Sequence, residues 1–369
     1  MGIKRFVIIL IILNMTLLFG CSFKGQEDKK GSSDSNIEIT DMAGRRVSIP
    51  KTINKIYSTG QPGVVMLYTL CPDKLLGWCL KPAKEEATYI NAKYLNLPVL
   101  GLMQGGNNTA NKEEIMSRAP DIILIMTVID NQQIENAEEI QRTMGIPVVI
   151  ANMSLGKLPD TYRFLGEILS ENERANMLAD YCDKVISDTK AIAKTIPENK
   201  RLSVYYAQGS TGLQTAPKGS AHSEVIDMVG GENVTMLQAD SNGRVSVNME
   251  QVLTWNPQVI ITSYSMGHDS QDLNSSIFSI IQNTNDAWEN VTAVKNNMVF
   301  STPCYPYNWL DMPPSVNRIL GIQWLSNLLY PDYYKCDIKN ETKYFYKNFY
   351  NKDLTDSQIE TLLKNAIRK

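Results

Sequence analysis

Histidine is nearly missing: His222 and His268 are the only two among 369 residues. A bare zinc or manganese ion asks for several imidazoles and carboxylates in a tetrahedral or octahedral set, so a dedicated site for such an ion is poorly supported. Also absent are G-x-S-x-G, H-E-x-x-H and G-x-x-x-x-G-K-[ST], the signatures of nucleophile elbows, zinc proteases and phosphate loops. His222-Ser223-Glu224 imitates the start of a deaminase zinc motif, but Pro303-Cys304 is followed by Tyr305-Pro306-Tyr307 and no P-C-x-x-C completes it. No enzyme is expected. Beyond Cys21 the cysteines are Cys71, Cys79, Cys182, Cys304 and Cys336, an odd, scattered set without C-x-x-C, which argues against a disulfide framework or a zinc knuckle. A Cys71–Cys79 bond and buried free thiols both remain open. A net charge of -3 gives no case for nucleic acid, and past the first 20 residues no apolar run is long enough to span a membrane.

What the chain does carry begins at its N-terminus. Lys4 and Arg5 precede an apolar run over 6–13, resumed over 15–20 and ended by Cys21. The run is short and its front is basic, which is the pattern of a secretory signal over 1–21. Leu18-Phe19-Gly20-Cys21 resembles the bacterial lipobox, in which the cysteine is acylated, so Cys21 is the expected lipidation site. An uncleaved anchor and a plain signal with a coincidental cysteine are the competing readings. Residues 22–36 are Lys, Asp, Glu, Gly and Ser with almost nothing apolar, and are expected to form a flexible tether. About 330 residues remain, enough for two lobes with cores of their own.

The chain also repeats itself. Glu113-Glu114-Ile115-Met116-Ser117-Arg118-Ala119-Pro120-Asp121-Ile122-Ile123-Leu124-Ile125 is echoed, 137 positions on, by Glu250-Gln251-Val252-Leu253-Thr254-Trp255-Asn256-Pro257-Gln258-Val259-Ile260-Ile261-Thr262. Each copy reads as a short amphipathic helix opened by a glutamate, a proline that stops it, and an apolar β-branched strand. Two such units at this separation predict two similar α/β lobes with a cleft between them.

The pattern places an opening hairpin at 37–49, strands at 55–58, 75–78, 122–126 and 147–150, and helices at 64–70 and 132–144. The alternation predicts a mostly parallel sheet wrapped by helices in an N-terminal lobe, 37–158. A strand-free segment, 159–197, links the lobes. Ser170-Glu171-Asn172-Glu173 fits a capping box, and Ala175, Leu178, Ala179, Cys182, Val185, Ile186 and Thr189 follow at helical spacing, predicting a helix from about Glu171 to Ile196, roughly 39 Å long. The C-terminal lobe, 198–333, has strands at 201–207, 259–263 and 298–301, then a helix with Pro313-Pro314 in its first turn and a stripe of Val316, Ile319, Leu320, Trp324 and Leu328. A helical extension, 334–369, with a cap at Thr355-x-x-Gln358, is expected to pack back on a lobe.

Ile39-Thr40-Asp41-Met42-Ala43-Gly44-Arg45, both repeats, Gly230-Gly231-Glu232-Asn233-Val234 and Pro313-Pro314-Ser315-Val316-Asn317-Arg318, in this order behind a lipobox, resemble one family over residues 36–335. It is the substrate-binding lipoproteins of bacterial ABC importers for iron-siderophore complexes, haem and cobalamin, the class III periplasmic binding proteins. The resemblance implies two Rossmann-like α/β lobes joined by one long rigid helix, anchored by lipid to the outer face of the bacterial cell membrane. It implies a monomer that serves a permease dimer with its cytoplasmic ATPase and holds no intrinsic cofactor. In this family a glutamate on each lobe docks onto arginines of the permease, a role the motif carries to Glu113 and Glu250; the competing reading is that each glutamate merely favours a helix N-terminus. A chelatase of similar shape is the enzyme alternative.

Clefts in such folds open at the C-terminal ends of the strands, so the loops there supply ligand candidates. They are Gln61, Trp78 and Asn107 on the first lobe, and Gln208, His222, Arg244, Tyr264, His268, Tyr305 and Trp309 on the second. Arg244 suits an anionic chelate, Tyr264, Tyr305, Tyr307 and Trp309 suit its walls, and His222 or His268 suits an axial or direct metal donor. The competing readings are a hydrogen-bonded surface or cap histidine, a solvated Arg244 and a core Trp309. The expected cargo is a metal chelate, above all a ferric siderophore, with corrinoid, haem and a molybdate-type oxyanion as alternatives.

Overall fold

A computed structural model describes residues 36–103, 108–239, 243–263, 277–283 and 287–368. Cys21 and all but the last residue of the expected tether lie outside the described residues, as do Asn107, Tyr264 and His268. Ile37–Lys369 form one compact unit.

The chain opens with β1 (Asn36–Thr40) and β2 (Arg46–Pro50), which pair as a two-stranded sheet. Asp41 in their turn is buried and holds both sides of it. Its Oδ1 accepts from Ala43 N and Arg45 N, both at 3.0 Å, while Oδ2 accepts from Arg45 Nε at 3.0 Å and from Ile150 N at 3.1 Å. The opening motif thereby seats the hairpin on the edge of the first parallel sheet.

That sheet has the order β3 (Ile56–Ser58), β4 (Ile122–Thr127), β5 (Val148–Asn152), all parallel. Every residue of β4 is buried, as expected of a strand covered on both faces, here by α1 (Gln61–Leu70) and α3 (Asn131–Met144), with α2 (Lys112–Ser117) leading into β4. The predicted strand at 75–78 is only a pair of isolated bridges. Leu76 N donates to Ile56 O and Trp78 N to Pro98 O, so the chain changes partner before a ladder can grow.

The strand-free segment folds as a helical hairpin, α4 (Leu158–Leu169) and α5 (Asn172–Ala193). Gly166 makes this possible, since a Cβ there would lie 2.2 Å from that of Ala175. The predicted apolar stripe of α5 is fully buried. The predicted capping box does not form, because Ser170 is used as the left-handed cap of α4 at φ 58° and Glu171 becomes an N-cap without a side-chain bond. The far end stops at Ala193 rather than Ile196. There Thr195 Oγ1 donates back to Ile192 O at 2.7 Å, and Pro197 cannot continue the helix.

The second sheet has the order β11 (Val299–Ser301), β10 (Val259–Thr262), β6 (Ser203–Ala207), β8 (Glu232–Asn233), again all parallel. A small antiparallel pair, β7 (Gln214–Thr215) and β9 (Val245–Ser246), sits beyond β6. Helices α6 (Glu224–Met228), α7 (Met249–Trp255) and α8 (Ile277–Asn283) complete this half. The sequence repeat is also a structural one. Asn111 caps α2 and Asn248 caps α7; Ala119 and Asn256 are left-handed at φ 49° and 43°; Asp121 N donates to Lys55 O and Gln258 N to Ser203 O.

Helix α9 (Asn317–Leu329) carries the predicted stripe and is buried on its other sides too. Pro313 and Pro314 precede it instead of forming its first turn. Asn308 holds 308–312 in a tight loop, with its Oδ1 accepting from Leu310 N and Asp311 N and its N–H donating to Met312 O, so the helix starts only at Asn317. Two final helices, α10 (Ile338–Tyr350) and α11 (Asp356–Leu362), pack back, and α11 has the predicted Thr355–Gln358 capping box. Helix α10 touches both α1 and α9: Tyr68 Oη donates to Tyr350 O, and Tyr350 Oη to Asn317 Oδ1. The extension therefore ties the two halves together. The five described cysteines are all free, with no Cys71–Cys79 bond, and burial pushes both of those thiols up to about 12.

Candidate functional site

Strands of the second sheet deliver a polar cluster at their C-terminal ends. Tyr206 closes to the end of β6, and Gln208 follows it, pinned by paired backbone bonds to Gln214. The loop after β11 brings in Asp311, whose side chain has no solvent exposure. Tyr206 Oη donates to Asp311 Oδ1 at 2.6 Å; on Oδ2 converge Gln208 Nε2 at 3.1 Å, His222 Nδ1 at 3.1 Å and Arg244 Nη2 at 3.6 Å. Arg244 Nε also donates to Gln208 Oε1 at 3.2 Å. Burial, and then the Asp311 charge, hold the Tyr206 phenol well above its ordinary pKa, so it stays a donor.

A carboxylate only accepts, which assigns a proton to His222 Nδ1 and turns Nε2 away from Asp311. His222 and Arg244 keep 21% and 25% of their side-chain surface exposed, whereas the acid that orients them keeps none. Gly243 allows the approach: its φ is +73°, and a Cβ there would lie 2.7 Å from His222 Cδ2. The arrangement presents one imidazole nitrogen and one guanidinium, both backed by a buried charge. It is suited to a metal-bearing or anionic ligand.

The first sheet ends in a cavity of about 720 Å³, lined among others by Gln61, Met103, Met126, Gln132, Glu135 and Met153. Gln61 Oε1 is a buried acceptor with no donor among the described residues. Cavity and cluster are connected through Arg318, fully buried on α9. It donates to the carbonyl of Met153 in the first half, and to Glu224 Oε2 and the Ala221 carbonyl on either side of His222.

Gln208, His222 and Arg244 thus meet in one place, and Gln61 lines the facing half. Trp78 and Trp309 are corrections, since they belong to the core rather than to a cleft wall. They are 1% and 0% exposed, with their indole N–H groups donating to Tyr94 O and Tyr346 Oη. Tyr307 is buried as well, and Tyr305 stacks on Tyr89 at 5.5 Å between ring centres, so both join the packing between the halves. Asp311, which organises the cluster, was not singled out from the sequence: it lies two residues beyond the flagged 305–309 stretch and carries no local signature. His222-Ser223-Glu224 serves no metal motif, because Glu224 faces Arg318, and no group of three or more metal-ligating side chains occurs among the described residues.

Glu113 and Glu250 are exposed in the first turns of α2 and α7. One turn on, Met116 and Leu253, also 137 positions apart, are exposed apolar residues.

The profile of a periplasmic binding protein family matches residues 83–306. The molybdate-binding protein MolA of Haemophilus influenzae is 25% identical over 338 residues, spanning 85% of this chain and 90% of that protein. The high-affinity heme uptake system protein IsdE of Staphylococcus aureus is 24% identical over 46% of this chain and 54% of its own length. Among solved structures, an ABC transporter solute binding protein from Sulfurospirillum deleyianum superposes with a TM-score of 0.79 at 29% identity, covering 89% of this chain and 99% of that one.

Proposed function

The chain belongs to the periplasmic binding protein family, as a substrate-binding component of an ABC transporter, and from that premise we propose that its cargo is a metal chelate, above all a ferric siderophore. The carrying observation is His222 held by buried Asp311 beside Arg244: an imidazole nitrogen without a partner among the described residues to meet a metal or its ligand shell, and a cation to neutralise the anionic complex. The first-half cavity of about 720 Å³ supports a bulky chelate, being of the size that organic ligands fill. Its lining offers amide and thioether side chains and the carboxylates of Glu135 and Glu139, with no cation among the described residues, so the cation for an anionic complex comes from Arg244. The cargo leaves unchanged; no reaction is assigned to the site.

A second reading, a molybdate-type oxyanion, is favoured by the similarity to MolA and by the same pair of donors. Haem and corrinoid remain further alternatives within the same cleft chemistry.

The protein is then a receptor tethered to the membrane. Cys21 carries the lipid, residues 22–36 the tether, 37–158 and 198–333 the lobes, 159–197 their link and 334–369 the extension. The monomer sits outside the cell membrane, and Glu113 and Glu250 dock it onto the two permease subunits.

Equilibrium dialysis of the purified protein against ferric hydroxamate and catecholate chelates, haem, cobalamin and molybdate, with bound metal counted by mass spectrometry, tests the cargo. One intact ferric chelate per chain is expected; retention of molybdate alone would overturn the chelate in favour of the oxyanion. Glu113→Lys with Glu250→Lys should abolish uptake in reconstituted vesicles and leave chelate affinity unchanged. Lost affinity would sink the docking role.

A further inference from the structure

Arg318 makes one continuous bridge between the two halves. Its Nη2 donates to Met153 O, its Nη1 to Glu224 Oε2, and Leu155 N donates at 3.2 Å to that same carboxylate oxygen. Met153 and Leu155 follow β5 directly. Met153 N is fastened to Thr127 O, and its side chain lines the first-half cavity. Glu224 and Ala221, whose carbonyl also takes Nη1 at 3.4 Å, bracket His222 on a turn pinned at Ser223 by Pro217 O. Arg318 Nε donates to Ser315 O at 3.2 Å, so no nitrogen of the guanidinium is left over.

From these contacts we infer that Arg318 is a positioning residue for ligand capture: one guanidinium fixes both the direction of His222 and the spacing of the first half from it. The inference rests on the proposal that His222 receives the cargo. A ligand that pulls on His222 moves the 221–224 turn, and that turn moves with Arg318 and with the backbone at 153–155. Burial makes this coupling stiff. The Arg318 guanidinium is fully buried and has no water to exchange its partners for, so a lost partner costs it a full desolvation penalty, while Glu224 keeps 28% of its side chain exposed. Lysine cannot replace it, because a single ammonium on a flexible stem lacks the planar fork that spans Met153 O, Glu224 and Ala221 O together. A core ion pair serving only stability would hold the same atoms but would not answer to ligand.

Arg318→Lys and Glu224→Gln test this, with the extension through α10 still holding the halves together in both. The probe is a ferric hydroxamate chelate; the readouts are its dissociation constant and deuterium exchange at 153–157, β6 and α9. In the wild-type chain the chelate should slow exchange at 153–157, although His222 lies in the other half. In each variant the Leu155 amide should exchange faster, affinity should fall about tenfold, as when the partner that orients a ligating histidine is lost, and the chelate should no longer protect 153–157. Affinity within twofold of wild type would overturn the inference. So would an affinity loss with equal acceleration throughout β6 and α9, which marks plain destabilisation; Glu224→Gln, the milder change, covers a failure of Arg318→Lys to fold. If the wild-type chain retains no chelate, the cargo proposal fails separately. Arg318 is then judged from the His222 imidazole resonances without ligand, which should shift in both variants and, if unmoved, refute the positioning role.

Discussion

Replacing Asp311 by asparagine keeps the side chain's shape and removes its charge from the most buried point of the cluster. Oδ2 serves Gln208 and His222, each at 3.1 Å, and Oδ1 serves Tyr206 at 2.6 Å. Hydrogen bonds to a charged acceptor contribute about 1.5–3 kcal/mol and neutral ones about 0.5–1.5. All three bonds fall to the neutral range, a loss of about 1–1.5 kcal/mol each and about 3–4.5 kcal/mol together, and Arg244, at 3.6 Å, loses this ion-pair partner. The neutral amide no longer has to be stripped of the water a carboxylate holds, which offsets part of the loss. A net destabilisation of about 2 kcal/mol is expected in urea unfolding. The effect on ligand should be larger in proportion, because His222 is no longer obliged to keep its proton on Nδ1 and its Nε2 free; loss of such an orienting partner lowers affinity about 10–100-fold. Equilibrium dialysis with a ferric chelate measures it. Affinity within twofold of wild type, together with unchanged His222 imidazole resonances, would refute the assignment of Asp311 as the group that orients the site.

Two further outcomes follow from packing and charge elsewhere. Gly321→Ala places a Cβ 1.8 Å from the Trp309 carbonyl oxygen, a backbone atom that cannot swing aside, so α9 or the 308–312 loop has to shift. An overpacking penalty of about 3 kcal/mol, lowering Tm by about 6 °C, is expected in thermal melts; an unchanged Tm would contradict the contact. Asp227 accepts from Gly219 N through Oδ2, while its Oδ1 is buried without a partner among the described residues, and burial raises its pKa. Folding thus favours the protonated form: that stabilisation is present below the unfolded carboxylate pKa and is lost as pH rises through the raised folded value. Asp227→Asn should accordingly raise Tm at pH 7.5 and give no advantage at about pH 3.5. An equal gain at both values would exclude this cause.

Much of the architecture was legible before any coordinates, because it is written in short-range pattern. The repeat at 113–125 and 250–262, the alternation of buried strands with amphipathic helices and the stripe on α5 all depend on neighbours a few residues apart. The misreadings arose where a neighbouring element competed for the same residues. Ser170 is taken as the cap of α4, Pro313 and Pro314 lie in a loop shaped by Asn308, and the stretch at 75–78 changes partner after two residues.

The candidate site divides along the same line. Gln208, His222 and Arg244 were legible as polar residues in loops that follow strands, since strand ends can be located from pattern alone. That they converge was not, and neither was their centre. Tyr206 and Gln208 meet Asp311 across 105 and 103 positions of chain, and Arg318 reaches Met153 across 165. Trp78 and Trp309 show the reverse error, as an aromatic side chain in a loop looks the same in sequence whether it faces a ligand or the core. By itself, then, the sequence determined the class of the molecule: two α/β halves, a linking helix and a duplicated pair of exposed glutamates. Only the tertiary structure decided which polar residues share one buried carboxylate and which guanidinium spans the halves. Hydrophobic periodicity is local information, whereas a carboxylate stays buried only where several distant donors arrive together.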